Sequence, residues 1–400
     1  MLAKILLPMF NEIYGKSIHK ASEELTGISE RTWRDGGPKS KTKQEKLPSL
    51  IRVSLKNQLE RNTALSKEAG TEVLDRFFDG KRDFLSSLII SFGELQGLSW
   101  PNTEKLALEL DIQNSELTNL LQRKDFPASK KRINELCNEP PLKIWINSNN
   151  LTCSLSEKSA NAENWHELDE ILNCWVVHAI YKTLACWDLE FQTKYLNPEG
   201  ATHNIEIRPL FHLLMPRTKP ELGSGSIEEF SPRGVFHLPM RRVLEMSYCL
   251  AYFYRNQKFP DSSQMRRIDI DGWASESNKM RGDGNIAKIY RGTMGVTAQD
   301  FDDIWVSMCK KTNNEAPPLA PWPAYIAAQI WTHLYVTKTL YRGYRIASAI
   351  VTPGAGMYEY WWYHHHKQIE KKNLNCSVAT WPQYLISQEA SEANILKLLE

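Results

Sequence analysis

The chain carries no CxxC pair in its 400 residues. Its seven cysteines, Cys137, Cys153, Cys174, Cys186, Cys249, Cys309 and Cys376, are odd in number and widely spaced. That pattern excludes a zinc ribbon and a thioredoxin-like site. It reads instead as reduced, buried thiols of a cytoplasmic protein. No apolar run is long enough to cross a bilayer: MLAKILLPMF at the N-terminus stops at Asn11 and Glu12 and has no small-residue cleavage site. A first core helix, and no membrane partner, is the expectation. Charge of one sign is not in excess either, with 49 Lys and Arg against 47 Asp and Glu and a formal net charge of +2. Any anion-binding surface must therefore be local. A phosphate loop is missing, because GSGS at 223–226 has no strand before it and no helix after it. Asp269, Asp271, Glu276 and Asp283 do not follow calcium-loop spacing and read as a solvated acidic loop. His364, His365 and His366 are consecutive, so on a helix they point in different directions and do not share one metal. The expectation is no metal, no cofactor and no catalytic residue.

What is present is an ordinary globular composition, 42% hydrophobic and 24% charged, with thirteen Trp, fifteen Tyr and thirteen Phe. This supplies material for two or three cores. Five segments follow from the breaks along the chain. Residues 1–62 form a basic helical unit ending beyond the Gly-, Pro- and Lys-rich tract 36–48. Residues 63–141 show apolar residues at helical spacing and close at Pro140 and Pro141. Segment 142–234 combines a short strand pair near 142–162 with an amphipathic helix over about 165–188, whose apolar side holds Leu168, Ile171, Leu172, Trp175, Val176, Ala179 and Ile180. PRTKPELGSGS at 216–226 reads as a linker. Segment 235–314 is helical from about 239 to 255, and 315–400 is aromatic-rich with a helix from about 324 to 341. The fold class expected is mainly α: multi-helix, multi-domain, with N-terminal helix-turn-helix modules and at most a small β element. No exact internal repeat is visible.

The stretch Leu106–Lys124, LALELDIQNSELTNLLQRK, reads as two short helices joined by a tight turn. Ala107 sits where two helices would cross closely, Leu110 and Ile112 flank the turn, and Leu117 with Leu120 or Leu121 faces the core. In this spacing the stretch resembles the Xre/Cro-like helix-turn-helix of phage-type repressors, with Asp111 in place of the usual turn glycine. The resemblance implies a recognition helix over about Ser115–Arg123, its N-terminal residues reaching base edges in the major groove. Asn114, Ser115, Thr118, Asn119 and Gln122 would read bases, and Arg123, Lys124, Lys130, Lys131 and Arg132 would neutralise phosphates. A second stretch, SEELTGISERTWRDGG at 22–37, resembles the start of a MerR- or excisionase-like module. Leu25, Gly27 and Ile28 supply its turn and Ser29 an N-cap. Arg31 and Arg34, followed by Lys39, Lys41, Lys43 and Lys46, form the densest basic run in the chain and would make a phosphate-binding arm.

A third stretch, GNIAKIYRGTMGVTAQDFDDIW at 284–305, ends like a recognition helix but has no convincing first helix and reads as core. Arg208/His212 and Arg233/His237 place Arg and His four apart, yet Pro209 and Gly234 break the polar position that a HEPN-type nuclease motif needs. The reading is a non-catalytic nucleic-acid-binding protein, with double-stranded DNA as the partner, acting as a regulator or accessory subunit of a mobile-element or phage-related system. It assembles with itself or with other protein subunits. The alternatives are an interaction scaffold of helical hairpins and an effector enzyme with an unrecognised site.

Overall fold

In the computed structural model of the protein, the described residues are 98–139, 142, 155–193, 209–214, 217–218, 235–237, 239–256, 296–311, 320–336 and 355–370, with isolated positions at 23, 29, 31–32, 85–86 and 89–90. Helix α1 spans Pro101–Gln122, α2 Phe126–Leu136, α3 Leu155–Asn161 and α4 Trp165–Phe191. A 3₁₀ turn covers Phe211–Leu214, followed by the short strands β1 (Arg217–Thr218) and β2 (Val235–His237). Helices α5 (Pro239–Asn256), α6 (Ala298–Lys311), α7 (Trp322–Val336) and α8 (Ala355–Glu370) complete the order. The class is mainly α.

Helix α4 organises the rest. It starts where Asn164 accepts a hydrogen bond from Glu167 N at 3.0 Å, while the Glu167 carboxylate takes Glu163 N at 2.8 Å. The first bond satisfies an N–H that a helix start leaves orphaned, and the second ties the residue before the cap to the helix. From Ile171 to Phe191 every residue except Lys182 is buried. The amphipathic stripe read from the sequence is thus half of the picture, because the opposite side is buried too. Cys174 and Ala185 keep that side slim. A helix enclosed on all faces needs neighbours all round, and α1, α2, α3, α7 and α8 supply them. Helix α5 packs on α6 and α7, which joins these elements to the same core. The buried apolar residues form one connected cluster from Leu85 to Trp362, drawing on four of the five segments read from the sequence.

Aromatic edges knit the centre. Tyr181 of α4, Trp331 of α7 and Tyr358 of α8 meet as a triangle, with ring centroids 4.6, 6.4 and 6.2 Å apart. Such pairs add roughly 0.5–1.5 kcal/mol beyond the area they bury. Beside them lies Asp188, fully enclosed. Its Oδ2 accepts from Leu210 N at 2.6 Å, Phe211 N at 2.9 Å and the Tyr358 hydroxyl at 2.8 Å, and its Oδ1 from Gln192 Nε2 at 2.7 Å. One carboxylate thereby ties α4, the 3₁₀ turn and α8 together. Burial pushes its pKa up to about 7 despite those four donors.

Two further differences from the sequence reading are local. The β1–β2 pair is antiparallel, with Arg217 opposite His237, so the linker-like stretch 216–226 begins in a strand. Residues 155–156, read as the end of a strand, open α3 instead. The tract 36–48, Arg34, Lys39, Lys41, Lys43 and Lys46 lie outside the described residues, as does most of 284–305. Among the described residues no helix is long and apolar enough to cross a membrane.

Candidate functional site

Helices α1 and α2 form a hairpin, and its turn is not at Asp111. Helix α1 runs unbroken through that position. Asp111 is buried, and its carboxylate accepts Leu85 N at 3.4 Å and Ser86 N at 2.9 Å. A residue that usually favours helix ends is kept in a helix interior because it caps another segment. The real turn lies twelve residues on. Lys124 N bonds Leu121 O at 3.1 Å and Asp125 N bonds Leu120 O at 3.4 Å, with Lys124 at φ 55°. These are the two bonds of a Schellman motif, with lysine at the left-handed position that glycine favours. Asp125 then caps α2 by accepting Ala128 N at 3.0 Å, and Pro127 stands in the first turn. The Asp-Phe-Pro signal for a helix start was present in the sequence and outweighs the turn read at Asp111.

The other end of the hairpin is anchored in the body. Trp100 gives α1 no side-chain cap. Glu190 of α4 replaces it, accepting Asn102 N at 3.1 Å, Asn102 Nδ2 at 2.9 Å, Thr103 N at 3.1 Å and Thr103 Oγ1 at 2.6 Å. A carboxylate over orphaned N–H groups also suits the helix dipole.

This placement sorts the residues read as DNA contacts. Asn114 is buried and falls out of the reading set. Ser115 and Thr118 are half-buried, and the Thr118 hydroxyl is committed to Asn114 O at 2.7 Å. Asn119, Gln122, Arg123 and Lys124 are exposed together at the hairpin tip, and Lys131 is exposed on α2. Lys130 Nζ donates to Ala162 O at 2.8 Å, and Arg132 bridges Glu116 at 2.8 Å and Glu135 at 3.1 Å, so both act within the fold. Ile112, expected beside a turn, is 56% exposed, and Leu108 one turn earlier is 42% exposed. In the second motif Arg31 is exposed, and Ser29 Oγ accepts Thr32 N at 3.3 Å.

A second polar constellation was not read from the sequence. Glu139, just after the hairpin, accepts from His178 Nε2 at 2.7 Å and from Lys182 Nζ at 2.7 Å, both on α4. Trp361 Nε1 of α8 donates to His178 Nδ1 at 3.5 Å, and Lys182 Nζ lies 4.6 Å from the Trp361 ring centroid. That fixes the neutral tautomer with hydrogen on Nε2. Burial holds His178 below its ordinary pKa and outweighs the pull of Glu139. Burial also opposes ionisation of Glu139, but the hydrogen bonds from His178 and Lys182 win and bring it down to about 2. Both imidazole nitrogens of His178 are occupied, so it cannot serve as a general base. The signal available in the sequence was a His and a Lys four apart inside an apolar helix.

The run YWWYHHH on α8 also finds its explanation. His364 stacks on Tyr360, His365 on Trp361 and His366 on Trp362, each four residues on, with centroids 6.1, 5.7 and 5.3 Å apart. Helix periodicity produces this ladder. Among the described residues no group of His, Cys, Asp and Glu is arranged to hold a metal ion. No protein-family model, curated protein or solved structure compared with the chain matches it.

Proposed function

We propose that the protein binds nucleic acid, double-stranded DNA in the first instance, through the tip of the α1–α2 hairpin. It acts without catalysis, as a regulator or accessory subunit. The observation that carries this reading is the tip itself: two amides, Asn119 and Gln122, beside two cations, Arg123 and Lys124, all exposed, with Lys131 on the next helix. Amides and cations in one patch provide both base-edge and phosphate contacts. The carbonyl end of α1 and the N–H end of α2 meet there, so their dipoles oppose each other and side-chain charge decides the local field.

The test is binding of the full chain to duplex DNA followed by fluorescence anisotropy across a salt series. Three phosphate contacts, from Arg123, Lys124 and Lys131, give a log–log slope of about −3. Arg123→Ala should reduce the magnitude of that slope by about one, while Asn119→Ala or Gln122→Ala should relax base preference. Lys130→Ala should leave binding unchanged, since its ammonium is committed to Ala162 O. Absence of binding to duplex DNA, single-stranded DNA and RNA at low salt overturns the reading. Leu108 and Ile112, exposed one turn apart on α1, favour the second reading, a hairpin that docks a partner protein.

A further inference from the structure

Helix α8 is held at two ends by groups of opposite response to acid. Near its start, the Tyr358 hydroxyl donates to Asp188 Oδ2 at 2.8 Å. Further along, Trp361 donates to His178, and His365 Nε2 lies 3.3 Å from Lys182 O. We infer that α8 is an acid-sensitive latch on the central helix, peeling away from Trp361 onward while its Tyr358 end stays docked.

The groups around each end set the direction. His365 faces the carbonyl and ammonium of Lys182 on α4 and His364 on its own helix. Burial first, then the charges of His364 and the Lys182 ammonium, bring it from 6.5 down to about 4 against the pull of the Lys182 carbonyl. His178 faces Glu139 and Lys182 and is lowered too, by burial first. Docked imidazoles with depressed values contribute stability above about pH 6.5, and that contribution is lost as pH falls towards about 4. Glu139 faces His178, Lys182 and, from α8, Tyr360; its own contribution is complete above about 4.5 and lost towards about pH 2, so it is constant between pH 7.5 and 5. Asp188 works the other way. It faces Tyr358, Gln192 and the N–H groups of Leu210 and Phe211, and its value is raised from 3.8 to about 7. Its contribution is therefore complete below 3.8 and lost as pH rises through about 7. A proton on Oδ1 can be accepted if the Gln192 amide turns over, so the four-donor site survives protonation. Between pH 7.5 and 5 one end of α8 tightens as the other loosens.

Hydrogen exchange of the full chain, corrected for the intrinsic pH dependence of exchange, reads this directly. Protection of residues 361–370 should fall at least about tenfold from pH 7.5 to 5, while α4 keeps its protection. His365→Phe preserves the stack on Trp361 without a titrating group and should remove most of that fall. Equal loss along α4 and α8, or no loss at 361–370, overturns the latch. So does a His365→Phe chain that responds to acid as fully as the parent. The comparison of helix segments in the parent chain decides the matter even where the variant does not fold.

Discussion

Asp188 Oδ2 accepts three donors inside the core, and removing that oxygen strands the N–H groups of Leu210 and Phe211 and leaves the Tyr358 hydroxyl only Leu184 O at 3.4 Å. Asp188→Ala should lower unfolding free energy by about 3 kcal/mol or more in denaturant titration, since each buried unmet donor costs roughly 1–3 kcal/mol. Asp188→Asn keeps one acceptor oxygen for those donors, and its new N–H₂ can face a turned Gln192 amide. It should cost about 1 kcal/mol or less and remove the dependence of stability on pH near neutrality. Equal damage from both substitutions would contradict this account of the site. Lys124 offers the reverse case. At φ 55° its backbone carries a strain that glycine avoids. Lys124→Gly should raise stability by about 0.5 kcal/mol while weakening nucleic-acid binding through the lost cation. Thermal denaturation and anisotropy on the same variant separate the two effects.

At the level of elements, local pattern reported well and long-range partnership did not. The spacing in 106–124 marked Leu117 as core-facing, and it is buried; Ala107 and Leu110, read at a helix crossing and beside a turn, are buried too, whereas Ile112, read beside the same turn, is exposed. What it missed is that Asp111 answers to Leu85 and Ser86, which no window around the residue contains. The expected turn glycine is instructive here. Asp111→Gly should destabilise the protein more than Asp111→Ala by about 1 kcal/mol, because glycine adds a helix penalty to the lost cap. A glycine that is tolerated better than alanine would restore the turn. Helix α4 shows the same limit from another side. Its first apolar face was legible from periodicity, but burial of its second face depends on α1, α7 and α8 arriving from far along the chain. Glu139, His178 and Trp361 meet only because three elements converge, so the polar constellation had no local signature beyond the His178–Lys182 spacing. The tip residues were legible by type, and their exposure was not, because it depends on where the turn falls.

At the scale of the whole molecule, burial governs chemistry as well as packing. The described cysteines Cys137, Cys174, Cys186, Cys249 and Cys309 are free thiols and all are buried. Burial pushes Cys174, Cys186 and Cys309 up to about 12, which leaves little thiolate at pH 8. These five should resist an aromatic disulfide reagent in the native protein and react together when denaturant unfolds it. Fast reaction of more than two thiols before unfolding would show that the enclosure is leaky. The same enclosure has a consequence for synthesis. From Ile171 onward helix α4 leaves almost no face in water, and its last cover, α8, lies far downstream in the chain. At about 5–20 residues per second, a ribosome leaves that apolar rod incompletely wrapped for roughly ten to thirty seconds. Over that interval the nascent chain presents a strong ligand for chaperones.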